Sequence, residues 1–245
     1  IDGVEAELGE IQAGSFSSTT TMSGKAAFIV GSVEDDSDTT GADEVTMTYM
    51  YQLNMNSSFT GEDLLYTRLK AGNTADVFSS SSYAKEASSY LAAAKGGDGT
   101  IAVDKIWYQF PVGDSLQVWV GPRIENYYML ASAPSIYKPV TKQFALGGNG
   151  SAYGSSTSPG FGVAWTQEVD DPSEARFAIS ANYTSKDGTD SSKGLNNDEA
   201  RTFLLTKVEY GSPKWQVSAA MANKNAPSGT ANGYDGYFHS ALATA

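Results

Sequence analysis

The chain has 245 residues, of which 40% are hydrophobic, with 25 glycines, 14 tyrosines and no cysteine. The lack of cysteine excludes disulfides, thiolate metal sites and cysteine nucleophiles, and the formal charge of −12 argues against a nucleic-acid-binding surface. No run of about 18 apolar residues is present, which excludes a transmembrane helix but not membrane-spanning strands of about ten alternating residues.

The chain opens with a helical pattern, IDGVEAELGEIQAG. Ile1, Val4, Leu8 and Ile11 fall at the a and d spacing of a heptad, and a glycine ends the segment. This spacing is typical of the end of a coiled coil, and equally of a short amphipathic helix that packs on its own domain. A chain that opens within a heptad also leads us to expect further residues before Ile1.

From residue 16 onward the pattern changes to an alternation of period two, in blocks of about 8 to 13 residues, which is typical of β-strands. Ten strands are predicted: Thr21–Val33, Val45–Asn56, Leu64–Gly72, Asp104–Phe110, Leu116–Arg123, Gly160–Gln167, Ala175–Thr184, Arg201–Tyr210, Trp215–Lys224 and Tyr237–Ala245.

The second predicted strand, VTMTYMYQLNMN, shows the alternation most clearly. Its odd-numbered positions are apolar or tyrosine, and its even-numbered positions are Thr, Gln or Asn, except for Met50. In a membrane protein the first set faces lipid or a neighbouring subunit and the second set faces water. Aromatic residues near strand ends, among them Tyr183, Tyr210 and Trp215, favour lipid contact because such rings prefer the membrane interface.

The connections between the predicted strands alternate in length. After strands two, four, six and eight they are short and rich in turn residues, as in SSFTGED and PVGDS, and after the other strands they are long and polar. All tight turns therefore lie at one end of the sheet, which is the plan of an up-and-down membrane barrel. The connections of a Greek-key sandwich would not sort so regularly.

The polar side of the predicted strands carries half of the 16 basic residues. A water-filled lumen solvates such charges at little cost, whereas the interior of a packed barrel could not hold eight unpaired cations. These candidate pore-lining residues are Lys25, Arg68, Lys70, Lys105, Arg123, Arg176, Arg201 and Lys207. Acidic residues gather in the long loops, and Glu209 is one of few within a strand.

Three ordered motifs carry a family resemblance: SFSSTTTMSGKAAFIVGSV, SSFTGEDLLYTRLKAGN and VDKIWYQFPVGDSLQVWVGP. They closely resemble the outer-membrane porins of cyanobacteria, which are related to the carbohydrate-selective (OprB-like) porins and are often labelled as iron-uptake porins. The resemblance implies an all-β fold, an up-and-down antiparallel transmembrane β-barrel of about 16 strands, of which about ten lie in this chain. It also implies location in the outer membrane of a Gram-negative-type cell.

The same resemblance implies a domain organisation and partners. Residues 1–14 would be the end of a coiled-coil linker, and residues 15–245 the N-terminal part of the barrel, in a chain that is partial. In the family, a domain that binds peptidoglycan precedes the coil, and this domain is missing here. We therefore expect a homotrimer that contacts outer-membrane lipid, lipopolysaccharide and, through the missing domain, peptidoglycan, without a cofactor.

The longest connection, residues 124–159, follows the fifth predicted strand, and in porins this loop often folds inward and narrows the pore. As a constriction loop it would place Glu125, Lys138 and Lys142 opposite Arg68, Lys70 and Arg123. Rings of charge select ions by sign, so the basic lumen predicts a modest anion preference. The alternative for this loop is a latch that packs against a neighbouring subunit.

Signals of an enzyme are weak. The single histidine, His239, has no partner for metal or triad chemistry, and GGNGSAYG lacks the nucleophile elbow and the Lys-Ser/Thr pair of a phosphate loop. We expect no catalytic residue, no metal site and no enzymatic activity. The leading interpretation is a passive channel for small hydrophilic solutes and inorganic ions. The alternatives are a structural anchor or surface receptor with little conductance, and a soluble β-sandwich binding module.

Overall fold

The computed structural model describes residues 19–32, 44–74, 91–93, 95, 97, 99–154 and 157–225. They form one antiparallel sheet whose strand order follows the chain order. The nine strands are β1 Thr20–Gly31, β2 Thr46–Ser57, β3 Leu64–Gly72, β4 Ala102–Val112, β5 Leu116–Ile124, β6 Ser158–Thr166, β7 Arg176–Ser185, β8 Thr202–Ser212 and β9 Trp215–Asn225. This confirms the predicted all-β, up-and-down fold.

The predicted alternation of short and long connections is present in the structure. Tight turns at residues 58–63, 113–115, 167–175 and 213–214 follow the even-numbered strands, and the long connections follow the odd-numbered ones. The backbone N–H of Ser58 donates to the carbonyl oxygen of Thr19 at 2.8 Å, so the chain enters β1 at the short-turn end.

The sheet is open within the described residues, because β1 and β9 do not pair with each other. The tenth predicted strand, Tyr237–Ala245, and the predicted coiled-coil segment 1–14 lie outside the described residues. Within the described ranges, no helix is long and apolar enough to cross a membrane.

The strand register divides the sheet into two faces. The polar face is the side that carries Lys25, paired with Gln52, which pairs in turn with Lys70. The apolar face is the opposite side, where large hydrophobic side chains are exposed, up to 75% at Phe28. Further exposed members of this face are Val30, Met47, Tyr51, Val120, Phe161, Val163, Ile179, Val208 and Val217.

Met50, the exception in the alternation of β2, lies on the polar face opposite Ala27 and is only 1% exposed. Its neighbour along that face, Thr48, is also buried. This end of the polar face is therefore covered by protein, which explains an apolar side chain at a position that the sequence pattern assigns to water.

A carboxylate organises the tight turn between β2 and β3. One Asp63 oxygen accepts hydrogen bonds from the backbone N–H groups of Phe59 and Thr60 at 2.9 and 2.8 Å, and from the Ser58 hydroxyl at 2.8 Å. Its other oxygen accepts from the Tyr108 hydroxyl at 2.6 Å. This hydrogen bond from Tyr108 is the main reason why the pKa of Asp63 lies well below its usual range.

The long connection between β5 and β6 lies across the polar face. We call residues 125–154 the inward segment. It contains 3₁₀ turns at Asn126–Tyr128 and Lys142–Gly148 and the single α-helical turn α1, Gly150–Tyr153. Two hydrophobic clusters hold it against the strands. Their buried members are Trp107, Trp119, Ile124, Met129 and Ala164 in one, and Leu130, Tyr153, Phe203 and Leu205 in the other.

Candidate functional site

The inward segment is anchored at its start by a buried ion pair. The Lys105 ammonium contacts a carboxylate oxygen of Glu125, and the two side chains are each 2% exposed. Lys105 also donates to the Thr157 hydroxyl at 3.1 Å, and the Tyr127 hydroxyl donates to Glu125 at 2.6 Å. Both groups therefore have polar partners that offset part of the cost of burying the pair.

A neutral network fixes the next turn of the segment to β7. The Asn182 amide donates to the backbone carbonyls of Asn126 and Met129 at 3.2 and 3.1 Å, and it accepts from the Asn126 amide at 2.6 Å. The Thr184 hydroxyl donates to Asn126 at 3.0 Å, and the Ser180 hydroxyl accepts from the Ala131 N–H at 2.9 Å. The polar residues of β7 are therefore used to bind the segment.

A second buried ion pair lies further along the segment. Lys207 and Glu209 of β8 form a salt bridge, and Lys207 is 1% exposed. The Lys207 ammonium donates to the carbonyl and the hydroxyl of Ser132 at 3.2 and 2.9 Å. Glu209 accepts from the Ser132 hydroxyl at 2.9 Å and from the Gln216 amide at 3.2 Å. The segment thus contacts the wall from β4 to β9.

Glycines in β6 give the segment room to approach the sheet. A Cβ atom at Gly162 would lie 2.6 Å from the Cβ of Asn182 and 2.8 Å from the Cβ of Met129, so no larger residue fits without a shift. A Cβ at Gly160 would lie 2.6 Å from the Thr184 methyl group, so this glycine permits close packing of β6 on β7. Gly162 is therefore the glycine that gives the segment room at Met129.

An aromatic group connects the segment to β3 and β4. The Tyr66 ring stacks on Trp107 with centroids 4.9 Å apart, and Tyr128 of the segment lies 5.9 Å from Trp107. Arg68 donates to Asp104 at 2.6 Å and to the Tyr128 hydroxyl at 3.2 Å. Arg68 is therefore an ion-paired residue at the boundary of the segment.

Beyond this boundary the polar face of β1–β3 is more open. Lys25 and Ser23 are exposed, and Gln52, Asn54 and Lys70 are partly exposed. The Gln52 amide donates to Asn54 at 2.9 Å, and the Asn54 amide donates to Ser23 at 3.5 Å. A surface of amides, hydroxyls and ammonium groups can bind water, small polar solutes or anions.

The eight candidate pore-lining cations occupy different environments. Those on the polar face that are exposed or half-buried are Lys25, Lys70 and Arg176. Those that pair with a carboxylate are Arg68, Lys105, Arg201 and Lys207. Lys105 and Lys207 lie on the predicted face, but the inward segment covers them. They are therefore not solvated, in contrast to the prediction from the sequence. Whether any of the eight lines a pore stays a prediction.

Arg123 does not lie on the face that strict alternation predicts for it. The register shifts between Ile106 and Tyr108, and Arg123 pairs with Ile106, a residue of the apolar face. The bulge inserts one extra residue into β5, which inverts the alternation beyond it. Arg123 is therefore exposed on the opposite side of the sheet from Lys105.

Arg201 closes the long loop between β7 and β8. Its backbone N–H and its Nε each donate to one oxygen of Asp187 at 2.8 Å, and Nη2 contacts the other oxygen. The hydrogen bond from the Arg201 side chain is the largest cause that lowers the pKa of Asp187 to about 2. Arg201 thus stabilises the loop between β7 and β8.

The three residues proposed for the constriction do not meet Arg68, Lys70 and Arg123 as a group. Glu125 pairs with Lys105 beneath the segment, and Lys138 is exposed on it. The backbone of Lys142 begins a 3₁₀ turn. The segment itself does lie over the polar face, as expected of a loop that folds inward.

The apolar face has an aromatic belt at the short-turn end. Phe177 and Tyr210 have ring centroids 4.5 Å apart, and Tyr210 and Trp215 lie 5.7 Å apart. On β4, Tyr108 and Phe110 stack with ring centroids 5.6 Å apart. Aromatic rings at strand ends beside an apolar band are the arrangement found at membrane interfaces.

The residues that hold the segment could hardly be predicted from the sequence. Asn182, Thr184 and Ser180 follow the polar alternation of β7, which does not distinguish a water-facing side chain from one that binds a loop. Glu209 carried the clearest signal, because it is one of few acidic residues within a strand. Within the described part of the chain, no three His, Cys, Asp or Glu residues are placed to hold a metal ion.

Comparison with known proteins agrees with these features. The model of the carbohydrate-selective porin, OprB family, matches residues 1–243. A protein of Nostoc sp. (strain PCC 7120 / SAG 25.82 / UTEX 2576), named uncharacterized protein alr4550, is 30% identical over an alignment of 136 residues that covers 52% of this chain. The match spans 23% of the length of that relative. No solved structure matches the chain significantly.

Proposed function

Since the chain belongs to the carbohydrate-selective porin, OprB family, a family of outer-membrane channels rather than enzymes, we propose that it forms the wall of a water-filled channel in the outer membrane. The channel passes small hydrophilic solutes, including sugars and inorganic ions, by passive diffusion. The observation that carries this proposal is the separation of the sheet into an exposed apolar face and a polar face over which a loop folds.

The apolar face is the proposed lipid contact. Its exposed side chains would be costly in water as one continuous surface, whereas strands of 9 to 12 residues with an aromatic belt suit a bilayer. An open sheet edge cannot face lipid, because its N–H and C=O groups would lack partners. We therefore propose that further strands, beginning with the predicted strand 237–245, close a barrel of about 16 strands.

The polar face is the proposed channel wall, and the inward segment is the proposed constriction. Its anchors on β4, β7 and β8 support a segment fixed to its own barrel more than a latch on a neighbouring subunit. The charged residues proposed near the constriction are Lys138, which is exposed on the segment, and Arg68 and Lys70 of the wall. A modest anion preference follows from this basic surface, tempered by the acidic outer loops.

The assembly and its surroundings are also proposals. Because the chain enters β1 at the short-turn end beside Ser58, a coiled coil formed by residues 1–14 would lie on the side of the short turns, which in membrane barrels is periplasmic. This supports a homotrimer around the coil, a link to peptidoglycan on that side, and lipopolysaccharide at the long-loop side.

Conductance in planar bilayers tests the channel directly. The full-length protein that contains this chain, purified in detergent and added to one side of the bilayer, is expected to produce stepwise increases in current. Loss of the steps after heat denaturation is the matched control for contaminating pores. A protein that inserts into vesicles but gives no steps would contradict the channel and favour a structural anchor or receptor.

A further inference from the structure

We infer that apolar side chains of the inward segment line the narrow part of the channel and raise the energy barrier for hydrated ions of both signs. These side chains are Ile136, Tyr137, Val140 and Phe144. This inference rests on the proposed channel function. It gives a role to a part of the inward segment that the anchoring contacts on β4, β7 and β8 leave without one.

Residues 134–147, which we call the crossbar, form a loop within the inward segment. The two ends of this loop lie close together, since a Cβ atom at Gly147 would be 3.5 Å from the carbonyl oxygen of Pro134 and 3.6 Å from the Cβ of Ser135. Leu146 and Gly147 have φ angles of 56° and 70°, in the left-handed region that turns a chain sharply. The crossbar therefore leaves the wall and returns to it at nearly the same place.

The base of the crossbar lies against β8 and β9. Ser132, just before the crossbar, accepts a hydrogen bond from the Lys207 ammonium of β8 at its carbonyl oxygen, at 3.2 Å. Leu146, near the end of the crossbar, packs against the hydrophobic cluster that contains Leu205 of β8, and Ala222 of β9 packs against the same cluster. Both ends of the crossbar are therefore fixed to this side of the sheet.

The tip of the crossbar reaches the connection between β3 and β4. Leu91 of this connection forms an isolated antiparallel bridge with Thr141, and the backbone N–H of Ala92 donates to the carbonyl oxygen of Val140 at 2.8 Å. The crossbar is therefore held at its tip by one side of the sheet and at its base by the other.

The length of the crossbar suits a bridge across the polar face. Lys95, in the same connection as Leu91, lies 3.8 Å from Asp104 of β4, which ties this connection to the wall. Strands β4 and β8 are four positions apart in the sheet, or about 19 Å along it. The six residue steps from Pro134 to Val140 can span at most about 20 Å, so the crossbar can extend across the polar face between these strands.

Four large apolar side chains of the crossbar are exposed. Ile136 is 87% exposed, Tyr137 80%, Val140 78% and Phe144 62%. They belong to a segment that lies over the polar face, so the lipid proposed to cover the apolar face does not reach them. Ile136 and Tyr137 are adjacent in a part of the chain without helix and project in different directions, so one opposing wall could not cover both.

Apolar side chains at a narrow place impede ions because they offer no hydrogen bonds in exchange for the water that an ion carries. The barrier from this desolvation acts on cations and anions alike. Lys138, which is also exposed on the crossbar, acts on the two signs in opposite directions. We therefore expect the apolar residues to limit the size of the ionic current, and the basic residues to set its charge preference.

Single-channel conductance of the full-length protein in planar bilayers with KCl tests this inference. The double variant Ile136→Gln with Val140→Thr makes the crossbar more polar without adding charge, and its new side chains are close in size to the original ones. It is expected to raise the conductance by about twofold, which corresponds to a barrier lower by about 0.4 kcal/mol. The ratio of chloride to potassium permeability is expected to stay the same. Both positions are exposed, so the variant is expected to fold.

A matched variant and a labelling experiment complete the test. Val163→Thr places the same hydroxyl on the apolar face and is expected to leave the conductance unchanged. Ile136→Cys, with any cysteine outside these 245 residues replaced by serine, is expected to react with a charged, membrane-impermeant thiol reagent and to lose current as it does so.

The outcomes separate the inference from the channel function. A conducting wild type whose conductance equals that of the double variant overturns the inference alone. So does an equal rise in Val163→Thr, or protection of Ile136→Cys from the reagent, which would show that the crossbar packs against protein. A wild-type protein without conductance would instead overturn the channel function, and the inference with it.

Discussion

The polar faces of β1–β3 and of β6–β8 both belong to the side of the sheet that alternation assigns to polar residues, but they differ in what covers them. On β1–β3, Ser23 and Lys25 are exposed, whereas on β7 and β8 the equivalent side chains Ser180, Asn182 and Lys207 are at most 2% exposed beneath the inward segment. We call these the open half and the docked half. The comparison teaches that alternation assigns a polar residue to a face, but not to water or to protein.

Side-chain size explains which half receives the segment. The docked half presents Gly160 and Gly162 on β6 and the small residues Ala178 and Ser180 on β7, so a backbone can approach closely. The open half presents the long side chains of Lys25, Gln52 and Lys70. A segment placed there would have to displace hydrated charges, which costs free energy without a compensating partner.

The largest expected difference between the halves comes from their lysines. Lys207→Ala leaves Glu209 buried without its cation, and breaking a buried pair in this way costs about 3–5 kcal/mol. Lys25→Ala removes an exposed charge and is expected to change the free energy of unfolding by less than about 0.5 kcal/mol. Urea titration of the full-length protein in lipid vesicles, followed by tryptophan fluorescence, measures both; equal costs would contradict the division into halves.

A somewhat smaller difference in stability is expected between variants that place arginine on the apolar face and on the polar face. Ala181 lies in the middle of β7 on the apolar face, opposite Val163. Arginine at such a lipid-facing site near the bilayer centre costs about 2–4 kcal/mol, so Ala181→Arg is expected to destabilise the protein by that amount. Ser23→Arg, on the polar face of the open half, is the control and should cost little. The reverse order would mean that the faces are assigned the wrong way round.

Two asparagines, Asn182 of the docked half and Asn54 of the open half, extend the comparison to neutral side chains. Asn182→Ala removes the amide donor to the Met129 carbonyl and one of two donors to the Asn126 carbonyl, which also accepts from the Met129 N–H, and we expect this to cost about 1–3 kcal/mol. Asn54→Ala in the open half also removes hydrogen bonds, but water replaces them, so its cost is expected to stay below about 1 kcal/mol. The same unfolding titration compares the two, and a larger loss for Asn54→Ala would show that the open half is not hydrated.

The smallest effect is a pH dependence beside the docked half. The pKa of Asp187 is about 2 in the folded protein and about 3.9 for an unperturbed aspartate. A lowered pKa gives stability that is present above about pH 4 and lost as the pH falls towards 2. Asp187→Asn is therefore expected to lower stability at neutral pH and to flatten its decline in this window. Asp198→Asn in the same loop is the control, and a decline that is unchanged in Asp187→Asn would contradict the role of the Asp187–Arg201 pair.

Much of the fold could be predicted from the sequence because its signals are local. Hydrophobic alternation and turn residues predict the nine described strands and the alternation of short and long connections. The family match over residues 1–243 confirms the resemblance drawn from three motifs. The burial of Lys105 and Lys207 could not be predicted, because it depends on contacts with Glu125 and Ser132, which are distant in sequence.

The predicted face of Arg123 is wrong for a different physical reason. Alternation predicts a face only while each residue of a strand has one partner, and the bulge near Gly121 breaks that condition. Met50 shows a second limit of alternation. It is an apolar residue on the polar face because protein covers it there, and the register of its strand is regular. Such exceptions are useful pointers to places where loops return to the sheet.

Thiol labelling of the full-length protein in vesicles, with any cysteine outside these 245 residues replaced by serine, tests the division of the polar face most directly, because the 245 residues contain no cysteine. Ser23→Cys and Ser180→Cys are matched serine replacements on the polar faces of β1 and β7. With a charged, membrane-impermeant thiol reagent, Ser23→Cys is expected to react rapidly and to change the conductance, while Ser180→Cys stays protected beneath the inward segment. Equal labelling of the two thiols, or protection of Ser23→Cys, would contradict a channel wall with an open half and a docked half.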